Sequence, residues 1–245
     1  MVPLITAIDD KYFPGLVAIY NSYKANAGEG FDFYCIVDGD ADLFARVEDL
    51  GVKAIKPIQW TDGYPESEEW PVQIPSLFAS LQIPKLFPDH EKAIWIDADC
   101  IIVDSLSGLL DHKFNEPIAA CDMNNANYKL GFVLHNCPPK LSGIKCPFGG
   151  LIIFNVQEWN RLDLTAKCAE SMMDKTIVFR YGDQSVLGYV LKGNWSGLPL
   201  SWQTFAHRKG VDIKNAKILH WLGCVPWESE VRNKEMWEHY ATQGK

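Results

Sequence analysis

The stretch AIWIDADCIIVDS, Ala93–Ser105, places two carboxylates one residue apart between apolar runs. Ala93–Ile96 leads into Asp97 and Asp99, and Cys100–Val103 follows them. A carboxylate in such surroundings is costly to desolvate, so a positive partner must offset it. On an extended chain, residues two apart point to the same side. Asp97 and Asp99 therefore face one point, with Ala98 turned away. In open α/β sheets ligands bind beyond the carboxyl ends of the strands. Two carboxylates there suit a hard divalent cation, which can in turn hold a diphosphate. The bare D-x-D pattern is weak by itself. It recurs at Asp38/Asp40 and Asp40/Asp42 in VDGDAD, where it reads as a solvated turn and helix cap. The apolar run on each side sets Asp97/Asp99 apart.

Around this segment the chain alternates between two periodicities. Leu4–Ile8 reads as a strand. Asp9 or Asp10 can cap a helix from about Pro14 to Lys24, and Phe31–Val37 is a second strand. Asp42–Leu50 reads as a helix and Val52–Ile55 as a short strand. This order predicts an α/β fold with a parallel sheet covered by helices. Residues 57–75, rich in Pro and acids, predict a long loop. A helix over Ser76–Phe87, interrupted at Pro84, precedes the strand Lys92–Ile96. Further on, Pro117–Cys121 and Leu151–Val156 read as strands, and Met123–Pro147 as a second long loop. Glu158–Met173, Asp183–Leu191 and Glu228–Ala241 read as helices, and Lys217–His220 as a short strand.

Bulk properties narrow the partners. The 245 residues suffice for one full core. Net charge is 23 − 31 = −8, which argues against a nucleic-acid or anionic-membrane surface. The seven cysteines form no C-x-x-C, and several sit in apolar runs as small hydrophobes. A reducing compartment is expected, although Cys137 and Cys146 flank a loop and could pair. No basic stretch followed by an apolar run opens the chain, and no run reaches the roughly 18 residues of a membrane span. The expectation is a cytoplasmic chain without a membrane span.

With its flanks, the D-x-D segment resembles the signature of retaining glycosyltransferases of family 8, which have the GT-A fold. Five further segments resemble that family in the same order. AIDDKY, Ala7–Tyr12, is similar to its uracil- and ribose-binding loop; the resemblance implies nucleoside contacts for Ala7, Asp9 and Tyr12, with Lys11 where an Asn is familiar. AACDM ends on Asp122, implied to bind donor-sugar hydroxyls. GGLIIFNVQEW implies close backbone approach to the sugar at Gly149 and Gly150, with Asn155 and Trp159 structural. YGDQSVL resembles a helix start that implies sugar binding by Asp183 and support of the anomeric carbon by Gln184. HWLGCVPW implies His220 as a third metal ligand, with Gly223 at the donor. An imidazole beside two carboxylates suits Mn²⁺ better than Mg²⁺.

The resemblance implies one GT-A domain over residues 1–245. A Rossmann-like central mixed sheet would be flanked by helices. Residues up to about 105 would bind the nucleotide, and those from about 106 the donor sugar and acceptor. It implies transfer of a hexose or pentose from a UDP-sugar to a glycan or other hydroxyl acceptor, with Ala98 beside the donor. Trp60, Tyr64, Trp70 and the Met123–Pro147 loop are candidates for the acceptor side. Three positions depart from the pattern. Val225 precedes the Pro-Trp pair where a diphosphate-contacting Lys is usual. Ser80 stands where an Arg is usual, and Phe148 replaces an Asn. Lys11, Lys85 and Arg208 are candidate replacements for the lost cations. Two other functions compete. One is a binding protein on a degenerate transferase fold. The other is a haloacid-dehalogenase-type phosphatase, whose final acid position is Leu187 here.

Overall fold

The computed structural model describes residues 1–58, 75–122, 129–174 and 176–242. Among them are ten strands: β1 Val2–Ile8, β2 Phe31–Val37, β3 Lys53–Ile55, β4 Lys92–Ile96, β5 Cys100–Ile102, β6 Ile118–Cys121, β7 Phe148–Asn155, β8 Ser196–Leu198, β9 Thr204–Phe205 and β10 Ile218–His220. The α-helices are α1 Phe13–Asn26, α2 Ala41–Asp49, α3 Ile83–Leu86, α4 Ser107–Asp111, α5 Leu130–Val133, α6 Val156–Arg161, α7 Leu164–Met173, α8 Gly182–Leu191 and α9 Lys234–Ala241. Two compact units divide the chain. The first holds Met1–Lys56, Ile94–Lys113 and Pro199–Lys245; the second holds Pro57–Ala93 and Phe114–Leu198.

In the first unit, β1 lies between β2 and β4, and β3 pairs with the far edge of β2, all in parallel. The order β3-β2-β1-β4 reverses direction beside β1. That makes a topological switch point, where ligands bind beyond the strands' carboxyl ends. The segment after β1 begins at Asp9, and the segment after β4 begins at Asp97. A second sheet runs β5-β10-β9, with β10 antiparallel to β5 and parallel to β9. Its register places His220 opposite Cys100 on one side and Phe205 on the other. Beneath it, Ile101, Leu219, Trp221 and Trp237 form a buried cluster with Ala18 of α1. Each large apolar side chain so buried contributes roughly 1.5–3 kcal/mol. Tyr240 docks α9 against α1, since Asn21 Nδ2 donates to its carbonyl and Asn26 Nδ2 to its hydroxyl, each at 2.8 Å.

In the second unit, β6 runs antiparallel to β7 and parallel to β8. The β6–β7 register jumps between Ala120 and Cys121, from Ile152 to Phe148. The residues skipped are Gly149, Gly150 and Leu151. A bulge built on two glycines bends the strand and lets neighbours approach its backbone.

Several helices differ from the sequence expectation. Ser76–Phe87 is a 3-10 run, Pro75–Gln82, followed by the single turn α3. Pro84 lacks an N–H and suits a first turn rather than a helix interior. The helix expected over Glu158–Met173 is two helices, because Asp163 has φ 49°. Asn155 starts the first of them, its side chain accepting from Glu158 N–H at 3.2 Å. Glu228–Ala241 is helical only from Lys234, since Asn233 has φ 57°. The strand expected at Leu151–Val156 begins earlier, at Phe148. Within the long loop Met123–Pro147, residues 129–147 contain α5 and a 3-10 turn, Pro139–Leu141. Trp60, Tyr64, Trp70 and residues 123–128 lie outside the described residues. The described helices include none long and apolar enough to cross a membrane. All seven cysteines are thiols rather than disulfide partners, Cys137 and Cys146 included.

Candidate active site

The first unit gathers the D-x-D pair and His220. Asp97 leaves β4, and the turn closes with Cys100 N–H donating to Asp97 O at 3.3 Å. Trp221 N–H donates to Asp99 O at 3.2 Å, tying the turn to the end of β10. His220 Nε2 then lies 3.0 Å from Asp99 Oδ1 and 3.7 Å from Asp97 Oδ2. Side-chain exposure rises from 0 % at His220 through 11 % at Asp99 to 32 % at Asp97, so the cluster opens to solvent on the Asp97 side. Burial pulls the imidazole pKa down. Asp99 and then Asp97 push it up, and the balance is raised. Ligand atoms of Asp99, Cys100 and His220 also lie within 4.8 Å of one another. Asp97 stands outside that group, 3.7 Å from the imidazole; two carboxylates and an imidazole are a fitting donor set for a divalent cation.

The loop after β1 lies against this cluster. Asp9 caps the turn Asp10–Tyr12 by accepting from Tyr12 N–H at 3.1 Å. The Tyr12 phenol is pushed up to about 12 by burial first, then by Asp99 and Asp97, so it remains a hydrogen-bond donor. Its ring meets Trp227 edge-on at 5.4 Å. Gly15 of α1 faces the D-x-D turn so closely that a Cβ there would stand 2.5 Å from Ala98 O. Ala98 itself is 5 % exposed, and it lies in this turn rather than on the extended strand that the sequence suggests. Ala7, the last residue but one of β1, is half-buried, and Gly223 turns the chain after β10 with φ 72°. Of the candidate replacement cations, Lys11 pairs with Glu228 at 3.5 Å, and Arg208 lies over the Phe205 ring at 4.2 Å. Lys85 is an exposed residue of α3, in the second unit.

The second unit gathers the residues expected to meet a sugar. Gly149 sits in the β7 bulge, its N–H donating to Gln184 Oε1 at 3.4 Å. A Cβ at Gly149 would meet Gln184 Cβ at 3.4 Å and Asp183 Oδ1 at 3.5 Å. Gly150, the next residue of the bulge, is buried. Asp183 opens α8 and accepts a short hydrogen bond from Ser80 Oγ. Burial raises the Asp183 carboxyl to about 6, opposed by hydrogen bonds from Ser80 and the Gln184 N–H. Asp122, just past β6, pairs with Lys145 at 2.7 Å. Asn155 and Trp159 are structural, the buried Trp159 indole donating to Thr165 Oγ1 at 2.8 Å.

Three contacts lie outside the sequence expectation. Trp95 Nε1 donates to Asp97 Oδ1 at 2.8 Å, and strand periodicity two residues upstream could have signalled it. Ser80, noted only as a missing Arg, is the partner of Asp183. Gln203 contacts His220 Nδ1 at 2.8 Å, and nothing in LSWQTF marks it.

A model of the family described as "Glycosyl transferase family 8" matches residues 3–230. Glycosyltransferase 8 domain-containing protein 1 of Xenopus tropicalis is 28 % identical over 280 residues, covering 92 % of this chain and 73 % of its own length. Lipopolysaccharide 1,2-glucosyltransferase of Escherichia coli K12 is 26 % identical, with 90 % and 71 % covered. Among solved structures, the galactosyltransferase LgtC with donor and acceptor sugar analogs superposes with a TM-score of 0.71 at 18 % identity, over 98 % of this chain and 95 % of that one. WbbM, described as a bifunctional glycosyltransferase in its apo form, gives 0.78 at 18 % identity, over 99 % of this chain and 50 % of its own. These neighbours give the fold as GT-A.

Proposed function

Because the chain belongs to glycosyl transferase family 8 and is therefore a glycosyltransferase, we propose that it is a metal-dependent, retaining enzyme that moves a hexose or pentose from a UDP-sugar to a glycan or other hydroxyl acceptor. The observation that carries the reading is the convergence of Asp97, Asp99 and His220 at the switch point of a parallel sheet. These three residues would hold Mn²⁺ or Mg²⁺, and the ion would supply neutralisation of the leaving diphosphate.

The remaining roles belong to the chain. Ala7, Asp9, Lys11 and Tyr12 follow β1 and suit contacts to the nucleoside, with Tyr12 donating from a phenol that stays protonated. Ala98 and Gly223 offer backbone beside the donor. In the second unit, Asp183 and Asp122 suit hydrogen bonds to sugar hydroxyls, and the Gly149–Gly150 bulge keeps side chains out of the way. Gln184 carries no charge and is no ready covalent nucleophile. Its amide oxygen suits support of a developing oxocarbenium ion while the acceptor attacks from the departing group's face, which retains configuration. On the acceptor side, Phe132 and Tyr181 are 38 % and 41 % exposed and stacked at 5.6 Å. Such an aromatic surface fits a sugar face, and Tyr181 directly precedes the Gly182–Gln184 helix start.

Ser80 and Val225 place neutral groups where the family resemblance implies cations, and this favours one second reading: nucleotide-sugar binding without turnover. Calorimetry of UDP binding tests the first. Binding should require both Mn²⁺ and Asp99, and Asp99→Ala should lose it. UDP binding that ignores metal and Asp99 would overturn the metal reading. Metal-dependent binding without transfer from any UDP-sugar would select the second.

A further inference from the structure

His220 is the buried member of its cluster, and its two ring nitrogens face different partners. Nε2 faces the carboxylates of Asp99 and Asp97, at 3.0 and 3.7 Å. Nδ1 lies 2.8 Å from the side-chain amide of Gln203. Gln203 is 1 % exposed. It sits between the turn Leu200–Trp202 and β9, its N–H donating to Leu200 O at 3.0 Å. The next two residues pair with β10, Thr204 opposite Leu219 and Phe205 opposite His220. Sheet register thus fixes the amide beside the imidazole.

A neutral imidazole has one lone pair, so it can ligate through Nε2 only when Nδ1 carries the proton. That proton then needs an acceptor. Amide nitrogen and oxygen exchange places by a half-turn of the side-chain end. With its nitrogen toward Nδ1, Gln203 donates, and the ring proton sits on Nε2 facing Asp99. With its oxygen toward Nδ1, Gln203 accepts, and the Nε2 lone pair is free for a cation. Among the described residues none donates to Gln203 Oε1, so the half-turn breaks no bond of that oxygen with them.

We propose that Gln203 is the positioning residue of the metal centre: its amide oxygen accepts from His220 Nδ1–H and aims the Nε2 lone pair at the cation held by Asp97 and Asp99. This rests on reading those three residues as metal ligands. Gln203 does not touch the ion. It acts by selecting the tautomer and holding the ring, the role a metal-bound histidine's outer hydrogen bond ordinarily plays.

The test compares native protein with Gln203→Met, which keeps length but loses the amide, and Gln203→Glu, which can only accept. Mn²⁺ affinity is read from the free-ion electron paramagnetic resonance signal at saturating UDP, against a UDP-only control. Gln203→Met is expected to bind about 10–100-fold more weakly, and Gln203→Glu to stay within a few-fold of native. In parallel, ¹⁵N spectra of native protein with Mg²⁺ and UDP are expected to show His220 as the Nδ1–H tautomer. That measurement stands even where a variant fails to fold. Native affinity in a folded Gln203→Met, or an Nε2–H ring in the loaded native protein, overturns the inference. Failure of native protein to bind Mn²⁺ overturns the metal reading and this inference with it.

Discussion

Asp183 carries a charge that its surroundings do not welcome. Burial lifts its carboxyl from 3.8 to about 6, and Ser80 and the Gln184 N–H bring it only part of the way back. A carboxyl raised in the folded state binds a proton that the unfolded chain releases. Its contribution to stability is therefore complete below pH 4 and is lost as pH rises through about 6. A shift of about two units corresponds to ~3 kcal/mol across that window. Asp183→Asn removes the titration and leaves Ser80 an oxygen to donate to. The variant should lose less stability than native protein between pH 4 and 7 and be more stable than native at pH 8, as urea melts at each pH would show. Parallel pH curves for the two proteins would mean that Asp183 ionises there at no cost. In the proposed function the same carboxylate would bind the donor sugar, so transfer should fall as stability rises, the usual trade at a functional site.

The approach of α1 to the D-x-D turn depends on one absent methyl group. A Cβ at Gly15 would stand 2.5 Å from Ala98 O and 2.9 Å from the Trp227 ring. The first of these is backbone, which cannot swing aside as a flexible side chain does. Alanine favours a helix over glycine by ~1 kcal/mol, whereas overpacking costs roughly 1–3 kcal/mol. Gly15→Ala should therefore lower stability by up to ~2 kcal/mol and weaken Mn²⁺ binding as the turn is displaced; thermal melts and a Mn²⁺ titration check both. Native metal affinity in the folded variant would show that α1 does not hold the turn in place. The same local logic explains which elements the sequence disclosed. β2 and β4 match their expected bounds because their apolar runs end at turn residues or charges. The helices after Asn155 and before the C-terminus are shorter than the periodicity suggests because Asp163 and Asn233 take left-handed backbone conformations. Neither residue interrupts the apolar periodicity that suggests a continuous helix.

The architecture was legible from alternation, and the acidic pair of the candidate site from two acids set between apolar runs. The interleaving of the chain was not: residues 199–245 belong to the same unit as 1–56 and 94–113, a long-range association that no local pattern encodes. Gln203 was hidden for the same reason, since its meaning comes only from the register of β9 with β10. The net charge of −8 adds a consequence for the whole chain. An anionic nucleotide approaching Asp97 and Asp99 without a cation meets like charge. UDP alone should thus leave the melting temperature unchanged, and Mn²⁺ with UDP should raise it. At a hundred times the dissociation constant the gain is ~2.7 kcal/mol. A kilocalorie moves the midpoint of a chain this long by roughly 2–4 °C, so the expected rise is about 5–10 °C. A chelator should abolish it, and Asp99→Ala should show none. An equal rise with UDP in the presence of chelator would mean that the nucleotide is held by protein cations, and Asp97 and Asp99 would then need another partner to offset their charge.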